Sequence, residues 1–230
     1  MTRKFDLEQE SRKFGDHLTH VLNGTICTGV PLTSVVSTYS RSRTVVGYGI
    51  TKDNQDEIKG IPVTVGRRPA QLYLGPSIHL GPDDANEHLM VTKSVMILAI
   101  GEDVGDDSNV LLHYDYEREK EDDYPEAHLE VCASSNAWEI AGHRLDGSER
   151  LLERLHLPVG GRRYRPTLED LIEFLVRENL AETHPNCDAL LEASRTGFHE
   201  KQLRAAVRRN PQPAVDQLRK DGYTVTEPAK

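Results

Sequence analysis

Between Val35 and Cys132 the chain alternates short β-branched and aromatic runs with connections too short to hold a crossover helix. Strands joined in that way pair antiparallel, so this stretch predicts one mostly antiparallel sheet of about six or seven strands. The predicted strands are Val35 to Tyr39, Thr44 to Ile50, Ile61 to Val65, Gln71 to Leu74, His88 to Ile100, Val110 to Glu117 and Ala127 to Cys132. Ser40-Arg41-Ser42-Arg43 reads as a hairpin connection, Asp53 to Gly60 as a polar loop, and Gly75-Pro76 and Gly81-Pro82 as punctuation. His88 to Ile100 fits a buried helix by periodicity alone, but its Val, Met and Ile content and the following Gly101 favour a strand.

Helices flank this region. Leu7, Phe14, Leu18, Val21 and Leu22 recur at helical spacing, so residues 2 to 22 predict an amphipathic helix closed by Asn23-Gly24, although Gly15 weakens it. After Trp138 the pattern turns helical. Ser148 to Leu155 predicts a short helix. Thr167 opens a clearer one, with Thr-x-x-Asp at its start as a loose capping box and Leu168, Leu171, Ile172 and Leu175 as its apolar stripe. Further helices are expected over Cys187 to Ser194, Phe198 to Arg209 and Ala214 to Asp221. Asn210-Pro211-Gln212-Pro213 interrupts them, Gly222 ends the last, and Tyr223 to Val225 is a candidate strand. The fold class is therefore α+β: a mostly antiparallel sheet with an N-terminal helix and a helical C-terminal third. The expected division is an α+β domain over 1–180 and a small helical appendage over 181–230.

No apolar run reaches the roughly 20 residues that a membrane span needs, and the first six residues lack the apolar stretch of a secretory signal. Three widely spaced cysteines, Cys27, Cys132 and Cys187, argue for a reducing compartment. A soluble cytoplasmic protein without membrane partners is the expectation. The net charge of −9 is concentrated: from Glu102 to Glu130 twelve Asp or Glu face only Arg118 and Lys120. An overall acidic balance thus says little about partners, and this stretch reads first as solvated loops around a strand.

Two segments carry candidate chemistry. Strand alternation puts His113 and Asp115 on one face, and His128, Glu130 and Cys132 on one face of the next strand. If the two strands pair, imidazoles and carboxylates gather. Such a set runs acid/base chemistry, because imidazole titrates near neutral pH and a carboxylate fixes its tautomer. It also suits a divalent metal. The plainer reading is one wet sheet face. The second segment, Leu155-His156-Leu157-Pro158-Val159-Gly160-Gly161-Arg162-Arg163-Tyr164-Arg165-Pro166-Thr167, puts three arginines and a tyrosine just before a helix N-terminus. Arginine forks and free backbone N–H groups grip phosphate, and Tyr164 can stack on a base. Pairing of these arginines with the acidic stretch is an equally good account. No Walker A ending, nucleophile elbow or dinucleotide fingerprint is present, and His184-Pro185-Asn186-Cys187 lacks a second pair at zinc spacing. Basic residues between Lys201 and Lys220 make the C-terminal helices a weaker candidate for DNA contact.

The runs His113-Tyr114-Asp115-Tyr116 and Tyr124-Pro125-Glu126-Ala127-His128-Leu129, the Leu157-Pro158 loop and the helix from Leu168 to Leu175 resemble an uncharacterised bacterial domain family. In it an aromatic-Asp-aromatic strand precedes a Tyr-Pro-x-x-His-Leu strand. The resemblance spans residues 110 to 176 and implies a bacterial origin but no activity. The functional expectation is an accessory protein of toxin or phage-defence type acting on nucleic acid or a nucleotide. His113, Asp115 and His128 would be its acid/base groups, and Arg162, Arg163, Tyr164 and Arg165 would hold phosphate. No cofactor or metal is expected. The alternative is a non-catalytic module that binds a partner protein through the sheet face or the N-terminal helix. That helix is also a candidate homodimer contact.

Overall fold

Asp6 opens the first helix. In the computed structural model, which describes residues 5–38, 40, 42–55, 59–66, 68–118, 125–133, 157–159 and 165–226, its carboxylate accepts the N–H of Gln9 and caps α1, Leu7–Thr25. Helix α1 runs past Asn23-Gly24. The Asn23 side chain instead ties down the loop that follows, accepting from Val30 N at 2.8 Å and donating to Val30 O at 2.6 Å.

Eight strands among the described residues form one sheet: β1 (Thr33–Val36), β2 (Thr44–Gly47), β3 (Ile61–Pro62), β4 (Tyr73–Pro82), β5 (Leu89–Ala99), β6 (Val110–Glu117), β7 (Ala127–Val131) and β8 (Leu157–Pro158). Their order is β1-β2-β4-β5-β6-β7-β8, with β3 also paired to β4. Every pairing is antiparallel. The chain is thus an α+β protein, and the region from His88 to Ile100 holds strand β5, Leu89–Ala99.

Strand β4 departs from the sequence reading, because it continues through both Gly-Pro pairs. The register explains how. Strand β3 pairs with Tyr73 and Leu74, and β2 pairs with Ser77 to Leu80. Pro76 falls between the two, where no neighbour on that side needs its missing N–H, and Pro82 lies beyond the end of β2.

Thr167 caps α2, Leu168–Arg177, in a full capping box: Asp170 Oδ2 accepts from Thr167 N at 2.8 Å, and Thr167 Oγ1 accepts from Asp170 N at 3.3 Å. Cys187–Arg209 is one continuous helix, α3, rather than two, since Gly197 costs only about 1 kcal/mol inside a helix. Helix α4, Pro211–Lys220, starts on Pro211, whose fixed φ suits a first turn. Residues 223–226 form no strand, and the expected helix over Ser148 to Leu155 lies outside the described residues. No helix among the described residues is long and apolar enough to cross a membrane.

The helices cover one face of the sheet. Leu18, Val21 and Leu22 of α1, Leu168, Leu171, Ile172 and Leu175 of α2, and Cys187 and Leu191 of α3 share a core with Ile78 and Leu80 of β4 and Met96 and Leu98 of β5. Ser194 of α3 joins the three helices. It donates to the Glu169 carboxylate and lies 2.9 Å from His17 Nε2. A hydroxyl with one proton already given to a carboxylate must accept from the imidazole, so His17 carries its proton on Nε2. The start of α3 therefore belongs to the same core as the sheet, although the sequence suggests a boundary near 180. Over residues 195–226 no side chain is buried.

The apolar stripe of α1 is consumed inside the chain, so the reason for expecting this helix to pair with a second copy falls away. Leu22→Ala is expected to lower the unfolding free energy by about 2–5 kcal/mol in urea titrations, as for a fully buried leucine. A peripheral arm would give a loss near zero.

Candidate functional site

Strands β6 and β7 pair so that Asp115 lies opposite His128 and His113 opposite Glu130. The residues between them turn the other way. Leu112 and Tyr114 pack against the helix-side core, and Tyr116 and Ala127 are buried. With a side-chain period of two, His113, Asp115, His128 and Glu130 all rise from the opposite face. Val95 and Ile97 of β5, opposite Asp115 and His113, flank them on that face.

The four side chains touch. His113 Nδ1 lies 3.2 Å from Asp115 Oδ2, and His113 Nε2 lies 3.2 Å from Glu130 Oε2. His128 Nε2 lies 3.5 Å from Asp115 Oδ2 and 3.6 Å from Glu130 Oε1. Each imidazole is shared by both carboxylates. The side chain of His128 is 5% exposed, and those of His113, Asp115 and Glu130 are 22%, 26% and 19% exposed. His128 Nδ1 meets the Pro125 carbonyl at 3.2 Å. A carbonyl only accepts, so the Nδ1 proton is fixed there and Nε2 is turned into the cluster.

The hydrogen bond to Asp115 raises the His113 pKa above its ordinary value; partial burial opposes the rise, and the charges of Asp115 and Glu130 add to it. Asp115 has one oxygen, Oδ1, that is buried with no hydrogen-bond partner among the described residues. One ligand atom each from His113, Asp115 and Glu130 lies within 4.8 Å of the others, a set able to hold a metal ion.

The sequence reading had put Glu130 on this face without making it one of the acid/base groups. Its position opposite His113 makes it the fourth member, and the alternation Ala127-His128-Leu129-Glu130 was the signal.

The arginine segment divides. Arg162, Arg163 and Tyr164 lie outside the described residues. Arg165 is on the helix side. Its guanidinium carbon sits 5.4 Å from the Tyr116 ring centre and 5.7 Å from that of Phe198 on α3. Burial pulls its pKa down, while Tyr116 and Glu169 act against that pull. Arg165 therefore does not overhang the histidine face, as a shared phosphate site would require.

Compared with protein-family models, with curated proteins and with solved structures, the chain shows no significant match. The site has to be read from its own geometry.

Arg165→Ala removes a cation held against two rings and is expected to cost on the order of 1–2 kcal/mol. Chemical denaturation checks this, and an unchanged midpoint would contradict the packing role.

Proposed function

We propose that this chain is a hydrolytic enzyme whose reactive centre is the face carrying His113, Asp115, His128 and Glu130, with a nucleic acid or nucleotide as substrate. The observation that carries the reading is the convergence of two imidazoles and two carboxylates at contacts of 3.2–3.6 Å on neighbouring strands. Basic atoms so placed can take a proton from a water or hydroxyl as it attacks, and the carboxylates hold the rings in fixed orientation. The ring of His128 is fixed in orientation, since its second nitrogen is tied to the Pro125 carbonyl.

The phosphate-bearing substrate class is supported by the chemistry of Arg162, Arg163 and Tyr164. In sequence Arg162 comes four residues after Pro158 of β8, which is in register with His128. Arg165 is not part of this proposal. A bacterial setting is proposed from the resemblance over residues 110 to 176.

One observation favours a second reading, a protein-interaction module. Leu203, Val207, Leu218 and Tyr223 are large apolar side chains left exposed in the C-terminal helices and just after them. Substitutions there and on the histidine face separate the two readings.

With RNA, single- and double-stranded DNA and nucleoside triphosphates offered in turn, one substrate is expected to be cleaved. Asp115→Asn and His128→Ala are expected to lower kcat/KM by about 100-fold or more with an unchanged circular dichroism spectrum. Leu203→Glu is expected to leave turnover intact. Cleavage at the wild-type rate by the two site variants would sink the enzyme, as would no cleavage by the wild-type chain.

A further inference from the structure

Both nitrogens of His113 face carboxylate oxygens. His128 Nδ1 is held by the Pro125 carbonyl, which turns its Nε2 toward the same two carboxylates.

Ligand atoms that share one zinc ion, at bonds of about 2.0–2.2 Å, lie within about 4.4 Å of one another, and one atom each from His113, Asp115 and Glu130 lies within 4.8 Å of the others. Two carboxylates balance a double positive charge. The Asp115 oxygen without a hydrogen-bond partner among the described residues is a second, independent sign, because a buried orphan carboxylate oxygen calls for an ion or a water.

We infer that His113, Asp115 and Glu130 bind one divalent transition-metal ion of the zinc class, with His128 beside them. The inference concerns the face read above as a hydrolytic centre and, resting on that reading, names what activates the water there. Mixed imidazole and carboxylate ligands suit zinc, cobalt, iron or manganese, whereas magnesium and calcium prefer oxygen alone. A bound ion of this class makes an attached water acidic and polarises a phosphoryl oxygen.

The test uses the full chain stripped by chelator and dialysed against Zn²⁺, with bound metal measured by elemental analysis. One zinc per chain is expected. Co²⁺ is expected to give a visible ligand-field band, and excess Mg²⁺ to leave the zinc in place. The isosteric variants Asp115→Asn and Glu130→Gln are expected to bind zinc at least tenfold more weakly, while His20→Ala, a surface histidine outside the cluster, is expected to bind as the wild type does. Substoichiometric zinc on the wild-type chain overturns the site, and so does unchanged affinity in both isosteric variants. Zinc bound in this pattern without cleavage of any nucleic acid or nucleotide upholds the site and removes the hydrolytic reading alone. Cleavage by the stripped chain without zinc uptake removes the site and leaves that reading standing.

Discussion

The pairing register of β6 with β7 decides which side chains this protein can bring together. Asp115 stands opposite His128, and His113 opposite Glu130, because Tyr114 and Tyr116 stand opposite Leu129 and Ala127. The second set fixes the first. A slip of one residue would turn either Tyr116 or Ala127, both buried on the helix side, toward the other face, and would send that strand's histidine and carboxylate into the core. The free energy that sets the register is thus hydrophobic and belongs to the helix face, and the polar cluster inherits its alignment. The fixing extends outward, since Met96 and Leu98 of β5 pair with Tyr114 and Leu112 in the same register.

Bringing four ionisable groups together on a largely covered face carries an electrostatic cost. Desolvating a charged group is expensive, and a cluster persists only where the charges compensate one another. Here each imidazole lies between the same two carboxylates, so compensation is shared across the group rather than made in isolated pairs. A group that contributed only to stability would tolerate apolar replacement of the whole set. A working centre would lose activity with the first substitution. The contrast with Arg195 is instructive. It pairs with Asp170 and Glu173 between α2 and α3, both partners are substantially exposed, and it reads as a tie between two helices.

Much of the architecture was legible in the chain. Short connections forced antiparallel pairing, and the stripe Leu168, Leu171, Ile172 and Leu175 with Thr167 and Asp170 at its head located α2 closely. Alternation alone put His113 with Asp115 and His128 with Glu130. What alternation does not encode is which residues lie opposite each other across strands, and so the place of Glu130 against His113 needed the structure. Glycine and proline misled in β4 because their effect depends on whether a neighbouring strand needs that particular N–H. Gly197 misled for a related reason, since a helix already anchored by Cys187 and Leu191 carries one glycine without breaking. Arg165 shows the limit most plainly. An arginine beside a helix start looks the same in sequence whether it reaches toward phosphate or lies against Tyr116 and Phe198.

The central claim is that the four polar side chains form one coupled cluster on the face opposite the helices. A double-mutant cycle on the chelator-treated protein tests it most directly, with unfolding free energies measured for the wild type, His113→Ala, Glu130→Ala and the double variant. The account predicts a coupling energy on the order of 0.5–3 kcal/mol, since groups in one network do not act independently. Additive losses, with a coupling energy indistinguishable from zero, would contradict it, because residues held apart by a different register have nothing to share.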